Sequence, residues 1–368
     1  MKILFNTRYN PNENMMVRVY YETLNYFKHL GLQVFFNDWG NYKNYDIILF
    51  YTGESEISKI RSLNPNAKIG IIDPSSKNLK EAQISDFIIV CSMEQRDYWL
   101  KYNKNIFFNL AIPNIKKVAI KNSRFSKVIK IGYHGNLVHL NCFYPSLTDV
   151  LDKLSDLYSI ELHVIYNKDA FGKWIIGRPK KLKTIDIQWR ENVFETEFSD
   201  IDIGICPSYI PHKKANVKFL DKFAFNIHKS DYLIKYKVSS NPGRLYPFLL
   251  NQIPVVADAI PSNCQVIHDN KSGFLVNSNY GWYYRLEELI CSKTKREQIG
   301  KEGLKALKTN LDLKKSKENL ASDIINFYKN DKNTKKILII NNHQNIIFLL
   351  IQSLITKVKK RTKLLFNF

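Results

Sequence analysis

Three short segments carry residue types that suit the binding of a phosphate-bearing ligand. The first is Ile131-Gly-Tyr-His-Gly135-Asn136-Leu-Val-His139, an apolar strand that breaks at a glycine before a helix. Gly135 lets the backbone approach a ligand with no side chain in the way, and free amides at the following helix start can hold an anion. Asn136 stands in the same turn, and His139 follows it. The second segment is Lys237-Val-Ser-Ser240-Asn241-Pro242-Gly243-Arg244. Asn241 is a good helix cap and Pro242 a good first helical residue, so a helix is expected from Gly243 to about Asn251. Its positive end, with Lys237 and Arg244, makes an anion site suited to a diphosphate. The third is Ile201-Asp-Ile-Gly-Ile-Cys206-Pro207-Ser208, whose strand end is expected near the same crevice. Each segment alone reads equally well as a tight turn, a capped helix or a buried strand. No nucleophile and no pair of acid/base carboxylates can be placed. Asp200 and Asp202 have Asp-x-Asp spacing, but Asp202 reads as part of an apolar strand, so no metal site is expected.

These segments need a scaffold, and the chain alternates strand-like and helix-like runs. Apolar runs at Lys2–Phe5, Gln33–Phe36, Asp46–Tyr51, Lys68–Ile72 and Asp86–Val90 read as strands. The periodic residues Val17, Tyr20, Tyr21, Leu24, Phe27 and Leu30 form a helical face stopped by Gly31. Ser92-Met-Glu-Gln95 reads as a capping box. The pattern restarts with strands at Val128–Tyr133, Glu161–Ile165, Ile185–Trp189, Ile201–Ile205, Pro254–Ala257 and Gly273–Val276, and a helix at about 143–157. Continuously apolar strands separated by helices argue for parallel sheets covered on both faces. The fold class is α/β, with two Rossmann-like αβα domains facing across a cleft. The expected organisation is a first domain over 1–112, a basic linker over 113–127, a second domain over 128–330 and a basic amphipathic tail over 331–368. Ligands of such sheets bind beyond the carboxyl ends of the strands.

Fifty-five Lys and Arg against 34 Asp and Glu leave a formal charge of +21, which favours an anionic partner. No zinc-finger spacing, ribonucleoprotein motif or helix-turn-helix signature is present, so no specific nucleic-acid partner is expected. Basic clusters occur at Lys116–Lys130, at Arg178-Pro-Lys180-Lys181-Leu-Lys183 and at Lys213–Lys222. The five scattered cysteines form no Cys-x-x-Cys pair and fit a reducing cytosol. The amino terminus has no apolar region long enough for a signal peptide. At the other end, the apolar run Asn345–Ile355 precedes Lys357-Val-Lys359-Lys360-Arg361-Thr-Lys363. It falls short of the roughly 20 apolar residues of a spanning helix and fits an in-plane anchor on an anionic membrane. It fits equally a terminal helix packed on its own domain.

In order, the chain carries Gly132-Tyr-His-Gly-Asn, Asp202-Ile-Gly-Ile-Cys-Pro207 and Arg244-Leu-Tyr-Pro-Phe-Leu-Leu-Asn-Gln-Ile-Pro254-Val-Val-Ala, then Ile267-His-Asp-Asn-Lys-Ser-Gly273-Phe-Leu and Trp282, Leu286 and Leu289. This series resembles the nucleotide-sugar half of a GT-B glycosyltransferase of the family-4-like group, and Asp86–Ser92 resembles the last strand of that group's acceptor half. The resemblance implies a retaining transfer of sugar from a UDP or GDP type donor, with no cofactor, to a hydroxyl of a lipid-linked or cell-envelope glycan at the cytosolic membrane face. The residues expected to hold the donor diphosphate are Gly135, Asn136, Lys237, Ser240, Asn241, Gly243 and Arg244, with His139, Pro207 and Ser208 in the donor pocket and Arg8, Glu54 and Asp73, on loops after strands of the first domain, as acceptor contacts. The family's two glutamates eight positions apart fall on Ser239 and Pro247, so the usual ribose contact has no counterpart at Pro247. The rivals are a degenerate GT-B protein that binds a glycan or a partner without catalysis, and a nucleotide-sugar epimerase.

Overall fold

The computed structural model describes residues 1–12, 14–52, 56–75, 78–114, 128–143, 146–190, 193–209, 241–310 and 313–331. The basic linker core at 115–127, the Lys213–Lys222 cluster and the terminal segment from 332 lie outside the described residues. Strands β1 (Lys2–Asn6), β2 (Gln33–Phe36), β3 (Ile47–Tyr51), β4 (Lys68–Ile72), β5 (Phe87–Val90) and β6 (Ile106–Phe108) form one parallel sheet in the order β2-β1-β3-β4-β5-β6. Strands β7 (Ile129–His134), β8 (Ile160–Tyr166), β9 (Thr184–Gln188), β10 (Ile203–Cys206), β11 (Val255–Asp258) and β12 (Phe274–Val276) form a second, in the order β12-β11-β10-β7-β8-β9, also parallel. The helices are α1 (Met15–His29), α2 (Ile57–Leu63), α3 (Leu79–Ile84), α4 (Met93–Trp99), α5 (Ser146–Leu157), α6 (Lys168–Phe171), α7 (Val193–Thr196), α8 (Leu245–Leu250), α9 (Pro261–Cys264), α10 (Asn279–Cys291), α11 (Lys293–Asn310) and α12 (Leu313–Asp331). Both sheets belong to one compact unit, Met1–Leu320, and the chain from Ala321 onward is a second unit. The expected two-sheet α/β architecture is what the chain adopts. β6 was not anticipated, because three residues are too few to show a period.

Both faces of each sheet are apolar, as parallel pairing requires. In the second sheet, Tyr133, Val164, Ile205 and Val256 pack with Leu147 and Leu151 of α5 and Trp282 and Leu286 of α10. The alternate residues Ile165, Cys206, Val255 and Ala257 pack with Leu245, Tyr246, Phe248 and Leu249 of α8. Asn241 leads through one 3₁₀ turn, Pro242–Arg244, directly into α8. Asn241 Oδ1 accepts from Gly243 N at 3.0 Å, so the expected cap forms, with the first turn tighter than an α-helix.

The two sheets are joined by exchanged helix caps. Gln265 Oε1, after α9, accepts from Met93 N of α4 at 3.0 Å, and Glu94 Oε1 of α4 accepts from Ser262 N of α9 at 2.8 Å. Each helix start therefore finds its acceptor on the opposite lobe. The capping box at Ser92 also forms, in altered shape. Ser92 Oγ accepts from Gln95 N at 3.2 Å, while Gln95 Oε1 reaches back one residue further, to Cys91 N at 3.0 Å.

α8 sits close to its sheet because β10 contains Gly204. A Cβ there would lie 2.6 Å from Cγ of Phe248, inside any real contact. Gly204→Ala is expected to destabilise the protein by about 1–3 kcal/mol through overpacking, with part recovered in a Gly204→Ala/Phe248→Leu double variant. Urea denaturation of the three proteins measures both.

Candidate functional site

In the second sheet the strand order reverses between β7 and β10. Connections leave this point in opposite directions, which opens a crevice at the carboxyl ends of the two strands. Two of the three singled-out segments end here: Gly135 and Asn136 follow β7, and Pro207 and Ser208 follow β10. The third delivers Arg244 to the same place.

Arg244 is half-buried and held by neutral groups. Its Nη1 donates to the Pro207 carbonyl at 2.7 Å and its Nη2 to Ser208 Oγ at 2.9 Å. Its guanidinium lies 5.9 Å from the ring centre of the fully buried Tyr133. No carboxylate pairs with it among the described residues. A guanidinium carries five N–H groups and a fixed charge, so two neutral partners leave both charge and donor capacity for an anion. Gly135 makes room for it. That residue has φ +151°, and a Cβ there would fall 2.8 Å from Tyr133 Oη and 3.0 Å from Arg244 Cδ. The glycine is thus required twice, by its backbone conformation and by the passing arginine.

Two buried groups fix this arrangement, and neither stood out in the sequence. Asp258, at the end of β11 and 2% exposed, accepts from Ser208 N at 2.6 Å, Tyr209 N at 2.9 Å and Trp282 Nε1 at 3.0 Å. Burial pushes its carboxyl up to about 6, against the pull of those donors, so it is mostly ionised at neutral pH. It holds the loop whose Ser208 hydroxyl grips Arg244. His134 is the second group. Its Nε2–H donates to the Arg244 carbonyl at 2.8 Å, and its ring meets Phe194, Phe198 and Phe248 edge-on at 5.1–5.3 Å. Burial drives its pKa down to about 3. It is a neutral strut rather than an acid or base. The available signal was positional: a carboxylate after Pro254-Val-Val-Ala and a histidine at the end of an apolar strand are polar groups that the strand must bury.

The remaining candidates divide. His139 lies in the 3₁₀ turn Leu137–Phe143, half-buried, its backbone N–H on the Asn136 carbonyl at 2.9 Å. Asn136 is exposed beside Gly135. Asn241 and Gly243 form the turn before Arg244. Lys237, Ser240 and Glu54 lie outside the described residues. Asp202 corrects its sequence reading. It precedes β10 rather than lying within it and accepts from Lys130 N at 2.9 Å, while Asp200 meets Lys130 Nζ at 3.5 Å. Both aspartates therefore sit at the amino end of the sheet, away from the crevice. Among the described residues, no group of three or more His, Cys, Asp and Glu side chains is arranged to hold a metal ion.

In the first sheet the rim is backbone-strained. Asn37, Thr52 and Asp73 follow β2, β3 and β4 with φ of 55°, 42° and 49°. A β-branched residue such as Thr52 in this region is unusual, and such strain gathers at ligand-facing edges. Asp73 accepts from Gln95 Nε2, and burial raises its carboxyl to about 6. Arg8, exposed after β1, rests 5.4 Å from the Trp39 ring centre.

No family model and no curated protein sequence matches the chain. Solved structures do. A glycosyltransferase from Rickettsia africae aligns with TM-score 0.56 at 13% identity, over 91% of this chain and 99% of that one. HepE of Anabaena, solved with UDP and glucose, aligns with TM-score 0.55 at 13% identity, over 89% and 100%. A TarM variant of S. aureus, solved with UDP and α-GlcNAc-glycerol, aligns with TM-score 0.52 at 15% identity, over 77% of this chain. The chain spans about half, 55%, of that TarM chain.

His134 makes the fold acid-sensitive. Its folded pKa lies below the unfolded value of about 6.5, so the unfolded chain takes up the proton first, and stability is lost as pH falls below that value. Asp73 and Asp258, raised to about 6, act in the opposite sense. Comparison with His134→Gln, which keeps a donor and does not titrate, cancels them. The loss between pH 7 and pH 5 is expected to be about 2 kcal/mol larger in the wild type, read by urea denaturation at each pH. The crevice, the two parallel sheets and the aligned structures agree on one architecture: this chain has the GT-B fold of the glycosyltransferases it aligns with.

Proposed function

We propose that this chain is a glycosyltransferase that takes a sugar from a nucleoside diphosphate sugar bound at the second-sheet crevice. The observation that carries the reading is Arg244, a half-buried guanidinium held by a carbonyl and a hydroxyl at the topological switch point. In the transfer, the bond from the anomeric carbon to a diphosphate oxygen breaks, and a bond to the acceptor oxygen forms as the acceptor hydroxyl passes its proton to the departing diphosphate. Negative charge grows on the departing diphosphate. A pre-placed Arg244 meets that charge without reorganising, which is the efficient way to lower such a barrier. The reading needs no resident cofactor.

The donor is read as a UDP or GDP sugar; HepE and TarM were solved with UDP, which favours the former. The acceptor is read as a lipid-linked or cell-envelope glycan entering over the strained rim of the first sheet, past Arg8 and Asp73. Retention of configuration follows the resemblance in sequence order. The family's ribose glutamate has no equivalent, for Pro247 lies buried within α8. No helix among the described residues is long and apolar enough to cross a membrane. The apolar-then-basic segment 345–368 is read as resting on the anionic cytosolic face of the membrane.

Arg244→Ala is expected to weaken UDP binding at least tenfold in calorimetry while leaving the melting temperature of the free protein within a few degrees. Arg244→Lys restores charge but not the fork and should recover only part. Unchanged affinity in the alanine variant would remove Arg244 from the site.

A further inference from the structure

The loop between β8 and β9, residues 167–183, presents an apolar tip with no role in the crevice. Phe171, Ile175 and Ile176 are 56%, 78% and 66% exposed. Single exposed apolar side chains are ordinary, but three on one firmly held loop are not. The loop is anchored from beneath by Trp174, 2% exposed, whose backbone N–H donates to Tyr166 Oη at 3.0 Å and whose indole Nε1 donates to the Ile176 carbonyl at 2.6 Å. Thr148 Oγ1 donates to the Gly177 carbonyl at 2.6 Å, pinning the turn to α5. The isoleucines therefore have no inward alternative: the buried tryptophan occupies the core position, and the turn faces them into solvent.

Charge identifies what covers them. Between Lys168 and Lys180 the sequence holds one carboxylate, Asp169. Arg178 is neutralised by Asp186 at 2.8 Å, but Lys168, Lys173 and Lys180 have no carboxylate partner among the described residues. An apolar tip flanked in sequence by lysines that form no ion pair among the described residues matches the boundary of an anionic bilayer, with methyl groups entering the acyl region and ammonium groups on lipid phosphates. Position agrees. β7, β8 and β10 are parallel, so this loop leaves the same edge of the sheet as Gly135 and Pro207.

We propose that the 167–183 loop is a membrane-docking element: Phe171, Ile175 and Ile176 insert into the interface of an anionic bilayer while Lys168, Lys173 and Lys180 contact its phosphates. It adds to the membrane-side reading of the terminal segment. It is tested without sugar transfer, so either can fail alone.

The test is flotation of the full-length protein with phosphatidylcholine vesicles, with and without phosphatidylglycerol. The double variant Ile175→Ser/Ile176→Ser keeps every charge and both loop anchors. It should lower the partition coefficient on anionic vesicles at least tenfold at an unchanged melting temperature. Lys168→Gln/Lys173→Gln/Lys180→Gln should lower binding only where phosphatidylglycerol is present. Wild-type partitioning by the serine variant would assign membrane contact to the terminal segment alone and overturn the proposal, as would a wild-type protein that stays off the vesicles. A concentration-dependent dimer abolished by the serine variant, with vesicle binding unchanged, would give the patch to a second copy of the chain and overturn it equally.

Discussion

A guanidinium held by neutral acceptors is the constraint on which the rest of the site depends. Arg244 bonded to a carboxylate would be a structural ion pair with its charge spent. Bonded to the Pro207 carbonyl and Ser208 Oγ, it has fixed geometry and a positive charge still to be matched. Everything nearby serves that placement. Gly135 clears its path, His134 holds its carbonyl, and Asp258 holds the loop that grips its fork. The carboxylate that could have cancelled the charge is instead surrounded by three N–H donors, one step away.

The same economy appears in the packing. Gly132 of β7 and Gly204 of β10 are register partners, and the space above each is filled by Ile201 and Phe248 respectively. Without the second of these glycines α8 could not lie flat on the sheet, and Arg244, one residue before its first turn, would move with it. Core packing and ligand geometry are therefore one problem here. The exchanged caps of α4 and α9 extend it to the other lobe, because Met93 N and Ser262 N find acceptors only when the two lobes meet.

Much of this was legible in the sequence. Continuously apolar runs in both halves announced parallel sheets, and Asn241-Pro242 announced the helix start at its observed place. Gly135, Pro207, Ser208 and Arg244 were singled out, and they converge. What was not legible depended on three-dimensional neighbours. The switch point lies between β7 and β10, strands some 70 residues apart, and only the strand order shows it. Asp258 and His134 read as unremarkable polar residues until their buried partners are known. Asp202 misled because a strand's first residue cannot be told from its neighbour by hydropathy alone, and its bond to Lys130 N places it at the wrong end of the sheet for chemistry. Of the loop at 167–183 only the basic cluster Arg178–Lys183 stood out, since sequence does not reveal that Trp174 takes the core position and leaves Ile175 and Ile176 outside.

The most direct test of the central claim, that the second-sheet crevice is built for a nucleoside diphosphate, is a thermal-shift series on the purified protein with UDP, GDP, CMP and their common sugar conjugates. A ligand bound only by the folded state raises the melting temperature by mass action. A clear rise is expected with one nucleoside diphosphate and its sugar conjugate, and little with CMP. Folded protein whose melting temperature responds to none of them would contradict it and leave a GT-B scaffold that binds a glycan or partner without catalysis.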